Sequence, residues 1–366
     1  MATHPSSIPH LVEKTPHKKL VRRFSPDRSQ VIRHTVQGAF VALNAWLGFQ
    51  FYLWVRYFER GGAGWYAPRP AGVEGWLPIA GLMNAKYLLT TGRVPAVHPA
   101  AMYLFLGFVL MSVLLKKAFC SWLCPIGTLS ETLWKLGRRA LRTNVRVPKW
   151  LDLPLRALKY ILLAFFVAII GAMSAETLEG FMQTPYGLVV DVRMMNFFRD
   201  LSGAAAAIVV ALVGLSILIE NLWCRYLCPY GAFLGLASLL SPVKIRRDQE
   251  ACIDCGKCAR VCPAHLPVDH LVQIRSAECS ACMVCVAACP AQDALQLALP
   301  PRKGTTLSAR WKRRSLSPVA VVAVIAYLFL GAVLWAHATN HWQTNLPQSV
   351  YMELVPRANQ LSHPGI

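Results

Sequence analysis

All 12 cysteines of this sequence stand in a few short runs, and their spacing suits one kind of chemistry. Residues 252–263 read CIDCGKCARVCP and residues 279–290 read CSACMVCVAACP. Each is a full C-x2-C-x2-C-x3-C-P run, which wraps three thiolates around one [4Fe–4S] cubane and aims the fourth at a neighbouring cubane. The spacing predicts one cluster on Cys252, Cys255, Cys258 and Cys289, and a second on Cys279, Cys282, Cys285 and Cys262. Pro263 and Pro290 close the two ligand loops and leave no N–H in need of a partner. C-x2-C pairs also build zinc sites, but a doubled, crossed pattern favours the cubanes. The segment has little apolar surface for a core, so bound clusters are expected to supply much of its folding energy.

The remaining four cysteines form half-motifs. AFCSWLCPIGTL (118–129) aligns with LWCRYLCPYGAF (222–233), setting Cys120 against Cys224 and Cys124 against Cys228. A spacing of four puts both sulfurs of a pair on one helix face. Pro125 and Pro229 suit the first turn of a following helix, whose N-terminus favours the thiolate of the cysteine before it. Three readings stay open for the four thiols: a shared third cluster or other metal site, a redox-active thiol or transient copper site, and cysteines that only pack.

The elements that must position these groups are apolar. The chain has 366 residues, 55% hydrophobic and 15% charged, where a soluble domain carries about 25% charged. Apolar stretches near 36–58, 98–117, 155–175, 201–222 and 316–337 approach or reach the roughly 20 residues that cross a bilayer. WLPIAGLMNAKYLL (76–89) is shorter, contains Lys86 and reads as an interfacial or re-entrant piece. The expected fold is an α-helical integral membrane protein of about five transmembrane helices. It contains an internal two-span repeat and a small α+β module of the bacterial 2[4Fe–4S] type. The expected divisions are a basic arm (1–34), a four-span domain (35–240), the cluster module (241–315), a fifth span (316–337) and an outer tail (338–366). Because both units run in the same sense, the repeats are parallel, and their cysteine pairs sit at one depth.

The net charge of +20 is spread unevenly. The segments 1–34, 116–159 and 223–316 hold 30 Lys and Arg, against 7 in 59–99, 175–202 and 338–366. The positive-inside rule then places the N-terminus and the cluster module in the cytoplasm and the C-terminus in the periplasm of a bacterial inner membrane. The same alternation argues against nucleic acid as a partner. RRFS (22–25) reads as a positive flank. A reducing compartment keeps thiols free for metal. His98, His337 and His341 cluster on the outer side, where they could hold haem or line a quinone site or do neither. Tyr186, Asp191 and Arg193 of the outer loop either contact a partner or pack that loop.

Paired C-x3-C-P motifs at membrane helix ends, followed by a double cluster module, resemble the membrane polyferredoxins of the NapH and NosR type over roughly residues 35–298. That resemblance implies membrane electron transfer between a cytoplasmic or quinone-pool donor and a redox partner in the membrane or periplasm. NosR-type proteins carry a periplasmic flavin-binding domain ahead of their spans, and here a basic arm stands in that place. NapH-type proteins usually stop near the cluster module, and this sequence continues through a fifth span. CcoG-type proteins follow that span with a larger β-domain. No catalytic residue is expected; the reading is a relay with two [4Fe–4S] clusters and a third cluster or metal at the half-motifs. A quinone, or a flavin or haem on a partner, would bridge the bilayer. The alternative is a metal-handling or maturation factor that reduces copper or thiols at the half-motif site. On this topology, a reporter fused after Ile366 is expected to read as periplasmic. One fused at Arg302, with the fifth span removed, is expected to read as cytoplasmic, and its export would invert the arrangement.

Overall fold

The structure is a computed structural model that describes residues 21–23, 26–142, 144–145, 147–300 and 314–363. It opens with α1 (Ser29–Glu59), a 3-10 turn at Ala71–Trp76, α2 (Pro78–Thr91), α3 (Pro99–Leu115), α4 (Ala118–Trp122) and α5 (Pro125–Leu141). There follow α6 (Lys149–Ala172), α7 (Ala175–Gln183), α8 (Pro185–Leu188), α9 (Val190–Arg199), α10 (Gly203–Leu218), a π-helical turn at Trp223–Leu227 and α11 (Pro229–Ala237). An antiparallel pair, β1 (Lys244–Arg247) and β2 (Leu295–Ala298), brackets α12 (Lys257–Arg260) and α13 (Val284–Ala287). Last come α14 (Pro318–Ala338) and α15 (Gln348–Leu354).

Among the described residues, α1, α6 and α14 are long and apolar enough to cross a membrane. α9 and α10 meet at an 81° bend and make a fourth if taken as one broken span. α3 has 17 residues, about 26 Å at 1.5 Å per residue, short of the bilayer core. The stretch expected as a span over 201–222 is therefore a 16-residue helix with a bent lead-in. Ser202 Oγ accepts from the Ala205 N–H and starts that helix there. α1 begins earlier than expected, and its first turns bury Ser29, Arg33 and Gln37 against the rest of the chain.

The repeat is visible helix by helix. α3 and α10 begin at Pro99 and Gly203, and α5 and α11 at Pro125 and Pro229. Both offsets are 104 residues. The packing is reciprocal: the helix after each half-motif docks on the apolar helix of the other half. Phe105 of α3 meets Tyr230 and Phe233 of α11 at centroid distances of 5.8 and 5.5 Å. Gly137 of α5 lies against the Ile217 carbonyl of α10, where a Cβ would fall 1.9 Å away. The interfacial piece around Lys86 is α2, and its ammonium donates to the Ile170, Gly171 and Met173 carbonyls. It thereby caps the C-terminal end of α6.

The part of the arm before α1 that is described is more than a charged flank. Val21 and Arg23 pair through the main chain with Gln292 and Pro290, and Arg23 also donates to the Val286 carbonyl at 3.2 Å. On the far side, α15 folds back so that Tyr351 and Leu354 pack against Trp54, Val55 and Phe58 of α1.

Tight packing at the α5–α10 crossing gives a direct test. Gly137→Ala should destabilise the detergent-solubilised protein by about 1–3 kcal/mol through overpacking. Gly171→Ala in α6, where a Cβ meets nothing within 4 Å, should be neutral or stabilising. Equal thermal shifts for the two would contradict the reciprocal packing.

Candidate metal centre

The half-motif cysteines line one cavity, and they do not lie on continuous helices. α4 ends at Trp122, and Cys124 is the N-cap of α5, with Pro125 at its first position. Pro125 disfavours a helical residue before it, so Cys124 turns to φ −55°, ψ 118°. Cys224 sits in the π-helical turn and Cys228 caps α11 in the same way. The Gly127 N–H donates to Cys124 Sγ at 3.5 Å and the Gly231 N–H to Cys228 Sγ at 3.2 Å. Gly127 must be glycine, because a Cβ would stand 2.3 Å from the Cys120 carbonyl.

All four thiols are free and partly buried, and each influences others of the set. Burial pushes Cys120 up to about 12 and Cys124 up to about 11, and holds Cys224 well above the ordinary thiol range. Crowded, desolvated sulfurs ionise only against positive charge. Lys117 is buried beside Cys120, Cys224 and Cys228 and supplies one such charge. The set fits an iron–sulfur group: four convergent sulfurs, two of them accepting N–H bonds of the kind that tune cluster potentials. Among the described residues, no three His, Cys, Asp or Glu side chains are gathered as a single-ion cage. A zinc ion, with Zn–S about 2.3 Å, needs its sulfurs within about 4 Å of one another.

A cavity of about 640 Å³ opens beside this site, with all four cysteines in its wall. It runs along Phe40, Leu104, Phe108 and Val333 to Arg69 and the Ala71–Trp76 turn. Leu43 and Leu330 line it and are also exposed on the apolar outside of the helices.

In the cysteine-rich segment, Cys289 lies in the electrostatic neighbourhood of Cys252 and Cys255, and Cys258 in that of Cys289 and Cys252. Cys262 has Cys282 and Cys279 as its sulfur neighbours, and Cys285 has Cys282, Cys279 and Cys262, with Cys258 of the first run also within its reach. The fourth cysteine of each run thus lies with the other run. Burial pushes Cys262 up to about 12. Glu278, just before Cys279, receives Lys159 Nζ at 2.7 Å on both oxygens and Tyr160 Oη at 3.1 Å. Burial alone would raise its carboxyl, but Lys117 and Lys159 hold it below the ordinary range.

The outer histidines do not form one site. His98 is fully buried, with Nδ1 3.1 Å from Glu74 and Nε2 2.9 Å from the Gly187 carbonyl. Both ring nitrogens are committed, so His98 has none left for a metal. Arg69 bridges Glu74 and Asp191 at 2.9 and 2.6 Å. Burial raises Glu74, and the His98 and Arg69 charges reverse this to about 2. Asp191 is therefore internal. Arg193 donates to the Ala358 and Leu361 carbonyls, and its guanidinium lies 5.2 Å from the Tyr186 ring centre. His337 packs on Trp342 at 5.2 Å.

Sequence reasoning missed Ser121 and Trp122. Ser121 Oγ donates to the Ser280 carbonyl at 2.6 Å, and Trp122 Nε1 to the Ala281 carbonyl at 3.2 Å. Arg33 and Gln37 of α1 donate to the Ser121 carbonyl, and Arg33 grips Glu131 of α5 with both terminal nitrogens at 2.6 Å. The only signal in the sequence is that both residues lie inside the half-motif.

A helical membrane-associated protein whose cysteines are arranged for iron–sulfur ligation is a ferredoxin-type membrane electron carrier. A family model described as a 4Fe-4S binding domain matches residues 97–144 and again 201–248, and a 4Fe-4S dicluster domain matches 244–291. The chain is 46% identical over 335 residues to YccM of Escherichia coli K12, whose name carries the words electron transport; the match covers 90% of this chain and 91% of that one. It is 28% identical to the ferredoxin-type protein NapH of the same organism, over 55% of this chain and 70% of that one. To the regulatory protein NosR of Pseudomonas aeruginosa it is 31% identical, over 50% of this chain and 25% of that one. No solved structure matches the chain. The chain belongs to the NapH/NosR-type family of ferredoxin-type membrane proteins. It is an iron–sulfur protein of membrane electron transport.

The sulfur neighbourhoods make a specific expectation. Cys289→Ser should alter the same cluster signal as Cys255→Ser in electron paramagnetic resonance of the anaerobic, reduced protein. If Cys289→Ser instead matches Cys285→Ser, the neighbourhoods are wrong.

Proposed function

We propose that the chain relays electrons between [4Fe–4S] clusters on its cytoplasmic side and a quinone held in the cavity beside the half-motif cysteines. The observation that carries this is the cavity: about 640 Å³, largely apolar in lining, with Cys120, Cys124, Cys224 and Cys228 in its wall. A quinone would supply the exchange between one-electron carriers and a two-electron, two-proton carrier soluble in the bilayer. Cys252, Cys255, Cys258 and Cys289 would hold one cubane, and Cys279, Cys282, Cys285 and Cys262 a second. The four half-motif thiols would hold a third, with Lys117 offsetting its negative charge. Leu43 and Leu330 at the rim support entry from the lipid side.

The cavity also bears on a distance problem. A bilayer core is about 30 Å thick, and a single electron hop over that gap is very slow. Because the cavity reaches from the cysteines to the Ala71–Trp76 turn, an occupant shortens the gap. An orientation with the arm and the cluster module on the cytoplasmic side of the inner membrane agrees with the distribution of basic residues. The redox partner that completes the path lies in the membrane or the periplasm.

Iron content and cavity filling test this together. Anaerobic protein should hold about 12 iron atoms, falling to about 8 when the four half-motif cysteines become serine. Leu104→Trp with Val333→Trp should keep the iron and slow oxidation of the reduced clusters by a short-chain quinone at least tenfold. Unchanged rates would reject the quinone site. About 8 iron atoms in the intact protein, with copper bound and then lost on the serine replacements, would move the assignment to metal handling.

A further inference from the structure

The two cysteine runs have identical spacing, so a free module would offer two equivalent faces. In this fold they are not equivalent. The second run is pressed into the membrane segment: Cys279 and Cys285 are buried, and so is Cys262, which lies with them. Its loop is held by donors from three places. Ser121 and Trp122 bond the Ser280 and Ala281 carbonyls, Gln30 donates to the Cys282 carbonyl at 3.0 Å, and Lys159 pairs with Glu278. Ser121 is the residue next to Cys120. The first run faces outward: Cys255 is exposed, and Asp254, Lys257 and Arg260 are exposed around it. Arg260 donates to the Cys255 carbonyl at 3.0 Å. Arg23, strapped onto Pro290, adds positive charge near Cys289. Two acidic groups share this rim: Asp254 is paired to Arg247 at 3.1 Å, and the Asp269 carboxylate lies beside Gly256 and Arg260, while Lys257 takes part in neither of these contacts.

From this orientation we infer that the relay has a fixed order. The second run is the link to the half-motif site, and the first run, at Cys255, is the port where a soluble electron carrier with an acidic surface docks. The inference rests on the relay proposed above and adds its sequence and the charge of its soluble partner. In each transfer one electron passes between port and link and one between link and half-motif site, with no proton moved. Ser121 and Trp122 act as positioning residues that hold the second loop against Cys120. Lys257 and Arg260 steer an anionic partner, because opposite charge at the rim raises the encounter rate and salt lowers it.

The orientation can be tested without any quinone. In intact protein, a water-soluble dysprosium chelate should shorten the spin relaxation of the first-run cluster several-fold more than that of the second. Cys255→Ser identifies the first-run signal. Equal relaxation, or a stronger effect on the second cluster, overturns the inference. A kinetic arm uses a sulfonated, negatively charged viologen as the soluble carrier. Lys257→Glu with Arg260→Glu should keep the iron content and slow cluster reduction by this viologen about tenfold, with the salt dependence lost. Oxidation by short-chain quinone should be unchanged. Undiminished reduction by the viologen rejects the port. Wild-type clusters that ignore the quinone yet show the expected relaxation contrast would reject the quinone site and leave the orientation standing.

Discussion

Sulfur held out of water ionises only when a positive charge stands close by. That constraint explains much of the architecture around α4 and α11. Four thiols are drawn into a partly buried group, and burial pushes Cys120, Cys124 and Cys224 above the ordinary thiol range. The surroundings counter this with the buried Lys117, with N–H groups aimed at Cys124 and Cys228, and with helices that begin at Pro125 and Pro229. Gly127 and Gly231 occupy the positions from which a main-chain N–H reaches sulfur. The apolar cavity beside them lowers the local dielectric further, which makes each compensating charge count for more.

Much of the chemistry was legible in the sequence because cysteine spacing is short-range information. C-x2-C-x2-C-x3-C-P states which thiols share a loop, and Cys289 and Cys262 each feel the charge of cysteines from the opposite run. The internal repeat was legible from CPIG and CPYG, and the helix starts follow it. What stayed hidden depends on relations between distant elements. The cavity is walled by ordinary apolar residues of α1, α3 and α14, none of which has a pattern of its own. α1 was expected to begin at the bilayer, yet its first turns carry Arg33 and Gln37 into the joint at Ser121, where polar partners replace lipid. The cysteine pairs were expected on one helix face, and the proline after each pair breaks that helix. On the outer side, Glu74, His98, Arg69 and Asp191 are spread over more than a hundred residues and meet only in the fold.

The two halves of the membrane segment are equal in length but not in use. Ser121 and Trp122 of the first half correspond to Arg225 and Tyr226 of the second. The first pair bonds the cysteine-rich loop. The second turns to Asp152 of α6, with Arg225 at 2.9 and 3.0 Å and Tyr226 at 2.7 Å. Since the helix after each half-motif docks on the other half, a single half would leave its apolar helix uncovered and hold only two of the four thiols. An ancestor carrying one copy would have needed a second molecule to complete the site, as a symmetric homodimer. In a single chain the two halves need not match: one is the contact for the cysteine-rich segment and the other an internal brace, a division of labour closed to a symmetric homodimer, whose two halves are encoded by the same codons.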